Sequence, residues 1–163
     1  MKRRIFYKKT GMYIDWQQIS QLPNIDNFID IGVGEGTPLF WKKYKNKRLI
    51  CIDPLDIAEQ VVKKDLKNLN YSFHKIAVGS KKSSKILKVE KEIGRSTLLS
   101  VTKKNFEGKP IKKIKTQIKT LDQVIKETKT SGSYGIKIDV EGYELEVLKG
   151  AKLTLKKSKF VIV

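Results

Sequence analysis

The chain has 163 residues, with 35 lysines and arginines against 17 aspartates and glutamates, one cysteine and one histidine. That length supports about one domain around one hydrophobic core. A lone cysteine excludes an internal disulfide and a cysteine-built metal cluster. No stretch is apolar for long enough to span a bilayer, and the basic start at residues 1–9 is not followed by the apolar segment of a secretory leader. A soluble protein of the reducing cytoplasm is therefore expected. The net charge of +18 favours anionic partners, yet only Arg3, Arg4, Arg48 and Arg95 are arginines. Lysines spread through every segment, as at 42–47 and 112–115, argue for solvated faces rather than a phosphate-reading stripe.

Residues 1–26 form an N-terminal segment ahead of a single domain at 27–163. Asp15 is positioned to cap a short helix through Leu22 that Pro23 ends, with Trp16, Ile19 and Leu22 on one side. Tyr7, Tyr13 and Trp16 are expected to pack on the domain rather than stack on a substrate. Residues 27–37 then read as a strand, a tight loop and a helix start. Gly32, Gly34 and Gly36 permit positive φ and keep side chains away from whatever approaches the backbone. Thr37 is placed to N-cap the next helix with Pro38 as its first residue.

Leu49 to Asp53 is a short apolar run ending in an acid, as expected of a second buried parallel strand, and a carboxylate there can accept hydrogen bonds from both hydroxyls of a ribose. Ala58, Val61, Val62, Leu66 and Leu69 share one helical face, and residues 71–79 read as a third strand. The alternation predicts a doubly wound, mostly parallel α/β sheet. His74, alone in an apolar strand, is expected to be structural. Ala77, Val78 and Gly79 are small enough to wall a flat ring. Residues 85–90 and 111–118 read as antiparallel strands added beside the third strand, punctuated by Gly94 and by residues 108–110. Between them, residues 94–99 form a turn and an extended run placed to reach over a site.

Thr120 and Gln123 have capping-box spacing, with Leu121, Val124 and Ile125 on the buried side. Residues 130–134 are expected to be a flexible connector. From Gly135 to Gly142 the pattern alternates strictly: Ile136, Ile138 and Val140 on one side, Lys137, Asp139 and Glu141 on the other. A row of charges on a parallel strand covered on both faces is costly unless its members pair or serve a site. The position expected for that site is beyond the carboxyl ends of the first strand and this one, where the strand order reverses.

The spacing Asp30-x-Gly32-x-Gly34-x-Gly36 resembles the first motif of class I methyltransferases that use S-adenosyl-L-methionine. The resemblance implies that the loop wraps the cofactor's methionine and ribose and that Asp30 orients its amino group. Residues 137–151, Lys-Ile-Asp-Val-Glu-Gly-Tyr-Glu-Leu-Glu-Val-Leu-Lys-Gly-Ala, are similar to the hallmark of the FkbM methyltransferases. Asp53, Ala77-Val78-Gly79, Ser96-Thr97-Leu98 and Thr120-Leu121-Asp122 fall in that family's order. Membership implies a Rossmann-like fold and methyl transfer to a hydroxyl of a sugar, glycan precursor or other small molecule.

The expected cofactor residues are Asp30, Gly32, Gly34, Gly36, Asp53 and Ala77. Asp139 is the expected base or acceptor anchor, with Glu141 orienting the acceptor or the cofactor and Lys137 pairing with Asp139. Spacing offers no third ligand for a metal. An RNA methyltransferase and a non-catalytic cofactor-binding domain are the alternatives. After Gly150, expected as a kink or cap, a helix over 151–157 leads to a fifth strand over 159–163. A full class I sheet continues beyond that point, so three readings stay open: the chain is shortened, the apolar edge at 160–163 pairs with a second copy, or the middle strands compensate on the other side.

Overall fold

The computed structural model describes residues 16–90, 96–99 and 111–163. Asp15, Tyr7, Tyr13, Gly94, Arg95 and residues 108–110, singled out above, lie outside the described residues. In chain order the elements are α1 (Trp16–Ser20), β1 (Asn27–Ile31), α2 (Pro38–Lys43), β2 (Arg48–Ile52), α3 (Asp56–Asp65), β3 (Tyr71–His74), β4 (Ala77–Val78), β5 (Ser83–Val89), β6 (Lys112–Lys119), α4 (Leu121–Thr128), β7 (Tyr134–Ile138), α5 (Glu144–Lys149), α6 (Lys152–Lys156) and β8 (Ser158–Ile162).

Five parallel strands form the main sheet in the order β3-β2-β1-β7-β8, so consecutive strands run outward from β1 on one side and the chain returns to pair β7 on the other. Alternation along these strands splits the core in two. Phe28, Leu49 and Cys51 face Ile19, Phe40, Trp41, Tyr44, Ala58 and Val62 from α1 to α3. Ile29, Ile31, Ile50, Ile52, Ile136 and Ile138 face Leu121, Val124 and Val147 from α4 and α5. Each buried aliphatic side chain contributes roughly 1.5–3 kcal/mol relative to exposure. The sheet is thus the rigid body on which the loops are mounted. Among the described residues no helix is long and apolar enough to cross a membrane.

Three sequence expectations are corrected. The third strand does not run unbroken from 71 to 79. His74 is the last residue paired with β2, and beyond it the Ile76 N–H turns back to the His74 carbonyl at 2.9 Å. With no neighbour left in the main sheet, the chain crosses to a second one, ordered β4-β6-β5, in which β5 and β6 are antiparallel and β4 is parallel to β6. The added strands therefore lie beside Ala77 and Val78 only.

Thr37 occupies the N-cap of α2, with Pro38 following, but its hydroxyl donates to Asp30 instead of capping the helix. The connector at 130–134 is pinned. Asp26 Oδ2 accepts from the Ser133 N–H and Oγ–H, each at 2.8 Å, and Asn27 Nδ2 donates to the Ser131 carbonyl at 2.7 Å. As expected for residues 160–163, β8 is a sheet edge, its residues alternating between half-buried and exposed. Phe160 nonetheless docks inward because Gly135 leaves room; a Cβ there would stand 2.3 Å from its ring.

Candidate active site at the ends of three parallel strands

β1, β2 and β7 end in register: Ile31 pairs with Ile52 on one side and with Ile138 on the other. The next residues, Gly32, Asp53 and Asp139, stand in a row just past the strand ends. The backbone ladder continues through them. The Gly32 N–H reaches the Ile52 carbonyl at 2.9 Å, the Asp53 N–H the His74 carbonyl at 3.2 Å, and the Asp139 N–H the Ile31 carbonyl at 3.0 Å. This is the crevice where ligands bind in open α/β sheets.

The three loop glycines all have positive φ, at 76°, 54° and 103°, but they do different work. A Cβ on Gly32 would lie 1.8 Å from the Asp139 carbonyl, so this glycine lets β1 and β7 run close together. A Cβ on Gly36 would press on Trp41 at 3.0 Å and Val61 at 3.1 Å. At Gly34 a Cβ would meet no protein atom within 4 Å, and only this glycine opens the backbone toward free space. The other two serve the loop's own packing.

Asp53 is 5% exposed. Its Oδ2 accepts the Gly34 N–H at 2.9 Å and its Oδ1 the Leu55 N–H at 2.8 Å. Burial pushes its carboxyl above the ordinary value, and the two amide donors offset only part of that rise. Each oxygen keeps a second lone pair for a further donor.

Asp30 is fully buried behind the loop. Its Oδ2 accepts from the Thr37 hydroxyl and from Trp41 Nε1 at 2.9 Å. Its Oδ1 makes no hydrogen bond of its own and is balanced by the Lys137 ammonium 3.3 Å away. Lys137 is 6% exposed and donates to the Gly32 carbonyl at 2.5 Å, with Asp139 Oδ2 3.8 Å away. The buried pair thus ties the floor of the glycine loop to β7. Asp30, expected to orient a cofactor, is thus held by Thr37, Trp41 and Lys137 behind the loop. Lys137 likewise sits beneath the loop and not among groups open to an acceptor.

Beyond Ile138 the strict alternation fails. Asp139 keeps its side chain 35% exposed, whereas Glu141 takes a left-handed backbone with φ of 50° and leaves the row. Its conformation is held from both sides. The Thr97 hydroxyl donates to the Glu141 carbonyl at 2.8 Å, and Glu144 Oε1 accepts from the Val140 and Gly142 N–H groups at 3.2 and 3.0 Å. Leu99 covers Gly142, where a Cβ would come within 2.7 Å of it. The run at 96–99 therefore does reach the site, as its placement predicted, by bonding the loop of Glu141. Ala77 is buried in β4 and paired with Ile118, so strand pairing ties it to the second sheet rather than to the glycine loop.

A model of the methyltransferase FkbM domain matches residues 30–163. The chain belongs to the FkbM methyltransferase family. A crystal structure of methyltransferase FkbM from Methylobacillus flagellatus KT shares its fold, with a TM-score of 0.58 at 20% identity, over 88% of this chain and 35% of that one. The chain therefore spans about a third of that protein's length. No curated protein sequence matches it significantly.

Much of the FkbM hallmark and its companion motifs is architecture. A Cβ on Gly150 would lie 2.0 Å from the Gly79 carbonyl, so the α5–α6 junction meets the chain just past β4 only because Gly150 lacks a side chain. Asp122 Oδ1 and Oδ2 accept from the Leu153 N–H at 3.1 and 2.9 Å, and Oδ1 also takes the Thr154 N–H and hydroxyl at 2.8 and 2.7 Å, capping α6. Thr120 caps α4 through the Gln123 N–H at 3.1 Å, while the Gln123 side chain turns to Glu127 instead of closing the box. Sequence reading placed Thr97 in a run that reaches the site but missed Glu144, which holds the Val140 and Gly142 N–H groups. Its place two residues past Gly142, at the start of a helix, is the signal that could have found it.

Proposed function

We propose that this FkbM domain binds S-adenosylmethionine across the ends of β1 and β2 and transfers its methyl group to a hydroxyl oxygen of a sugar, glycan precursor or other small molecule. The observation that carries this reading is Asp53. A buried carboxylate with two amide donors and two remaining acceptor positions suits a vicinal diol, and the amide it holds belongs to Gly34, the loop position open to free space. When bound, the cofactor supplies an electrophilic methyl on a positively charged sulfur. The chain's own residues supply the rest. Asp53 holds the ribose, and Gly34 allows the cofactor to lie close against the backbone. Asp139 takes the hydroxyl proton or anchors the acceptor. Glu141, carried on its left-handed turn, orients the acceptor or the cofactor. Lys137 gives Asp139 a fixed counter-charge from below. Holding the two reactants in line is the larger contribution, and a positioned base typically adds about 10²–10⁴-fold.

Calorimetry with S-adenosylmethionine tests the binding half, and transfer of labelled methyl to a panel of sugars and nucleotide sugars tests the chemistry. Asp139→Asn is expected to keep cofactor affinity within about threefold and to lower turnover by roughly 10²-fold or more. Turnover equal to wild type would remove Asp139 from the proton transfer. Failure of the wild-type chain to bind S-adenosylmethionine would refute the reading as a whole.

A further inference from the structure

The β5–β6 pair turns one face inward, where Leu87, Val89, Thr116 and Ile118 are buried. Residues of the opposite parity form the outer face. There the register sets Ser84 against Gln117, Ile86 against Lys115 and Lys88 against Lys113. Ile86 is 50% exposed, and Ile111, two residues before Lys113 and held by its N–H to the Val89 carbonyl, is 67% exposed. Lys113, Lys115 and Gln117 are exposed and Lys88 is half-buried.

In isolation this face is poorly compensated. Lys88 and Lys113 stand directly opposite each other, and like charges so placed repel. Neither they nor Lys115 form an ion pair among the described residues, whereas Lys63, Lys75, Lys119 and Lys149 each find a carboxylate. The acid of matching parity is Glu90, at the far end beyond Lys88 and next to Ile111. Large aliphatic side chains exposed between uncompensated ammoniums are the composition of a surface that sits at a lipid headgroup boundary: the aliphatic groups enter it and the lysines reach its anions.

We propose that the outer face of β5–β6 docks reversibly on an anionic lipid surface, with Lys88, Lys113 and Lys115 on the headgroup anions and Ile86 and Ile111 at the acyl boundary. A nucleic acid fits this face less well. Its described residues include no arginine to fork onto phosphate and no aromatic ring on which a base would stack. Docking here would also bring a surface beside the candidate site, because Thr97 pairs with Lys88 and bonds the loop of Glu141. The proposal does not depend on methyl transfer.

Cosedimentation of the full chain with phosphatidylcholine vesicles, with and without phosphatidylserine, tests it. Binding is expected only with phosphatidylserine and is expected to fade with salt. Lys113→Gln and Lys115→Gln should each lower partitioning about fivefold, the worth of one lysine near such a surface. Ile86→Ser should weaken it again at unchanged net charge, while Lys64→Gln with Lys67→Gln, twice the charge change of either single variant but on another face, should leave it near wild type. The proposal is overturned if wild type ignores phosphatidylserine, if the Lys113 and Lys115 variants bind undiminished, if the Lys64 and Lys67 variant loses as much as they do, or if wild type binds single-stranded RNA but not vesicles.

Discussion

Substituting alanine at Gly34 separates a ligand's demands on the loop from the protein's own. The backbone there has φ of 54°, so an L-residue incurs a left-handed penalty of about 1 kcal/mol, partly offset by the smaller conformational freedom of alanine in the unfolded chain. Nothing else opposes the new methyl, since no protein atom lies within 4 Å of it. Urea denaturation of Gly34→Ala should therefore register a loss of about 1 kcal/mol or less. Gly32→Ala has the same kind of backbone penalty and in addition drives a methyl to 1.8 Å from the Asp139 carbonyl. Relief requires β1 and β7 to part where they are hydrogen-bonded, and the loss should exceed about 3 kcal/mol. Calorimetry gives the opposite ranking of cause. If S-adenosylmethionine lies against the loop, Gly34→Ala loses at least about tenfold in affinity, more than its stability change accounts for. Affinity equal to wild type in a folded Gly34→Ala protein would mean that no ligand occupies the space above this residue, and Asp53 alone could not sustain the proposed site.

Acid pH should act on Asp53 in two opposite senses. Its carboxyl is raised above the ordinary 3.8 by burial, so the stability it contributes is fullest in acid and is lost as pH rises through the raised value. A ribose diol needs the charged acceptor, so cofactor affinity should instead fall as pH drops through that value, and Asp53→Asn should bind weakly with no acid limb. Lys137→Met leaves Asp30 buried with no counter-charge and should cost about 3–5 kcal/mol, most of it recovered by adding Asp30→Asn; strictly additive losses in urea would show that the two are not a pair. Gly150→Ala carries no left-handed penalty, yet its methyl would lie 2.0 Å from the Gly79 carbonyl. A loss of about 2–4 kcal/mol is expected, and a near-neutral result would show that Gly79 and the α5–α6 junction are not in contact.

The elements that were legible in the sequence are those whose pattern is local. Apolar runs ending at Ile31, Ile52 and Ile138, two of them followed by an acid, announced three parallel strands and the row of groups past their ends. What was not legible depends on neighbours distant in the chain. Nothing within residues 71–79 signals the change of sheet at Lys75; it follows from β2 ending at Ile52, 23 residues earlier, which leaves the strand no partner. The connector at 130–134 has the composition of a flexible link and is fixed only because Asp26 lies beside it. Alternation placed Lys137 correctly on the same face as Asp139 but could not report that Asp30 on the adjacent strand would claim it. The same rule failed at Glu141 because alternation holds only while the backbone is extended, and Gly142 with Thr97 and Glu144 turns it there.

These failures share a direction that bears on mechanism. The two charges on the strands, Asp30, expected to orient a cofactor, and Lys137, expected to pair with Asp139, lie within the ladder and are buried, where an unpaired ion is prohibitively costly and a paired one fixes geometry. The charges that stand one or more residues past the ladder, Asp139 and Glu141, are only half-buried. Asp53 lies between these cases, past the ladder yet 5% exposed, which suits a group that holds a ligand and transfers no proton. Because all three post-strand residues Gly32, Asp53 and Asp139 still donate one backbone hydrogen bond into the sheet, their positions are set by the core rather than by loop conformation. A site built this way tolerates little displacement of its reacting groups, which is the condition under which holding donor and acceptor in line accelerates transfer most.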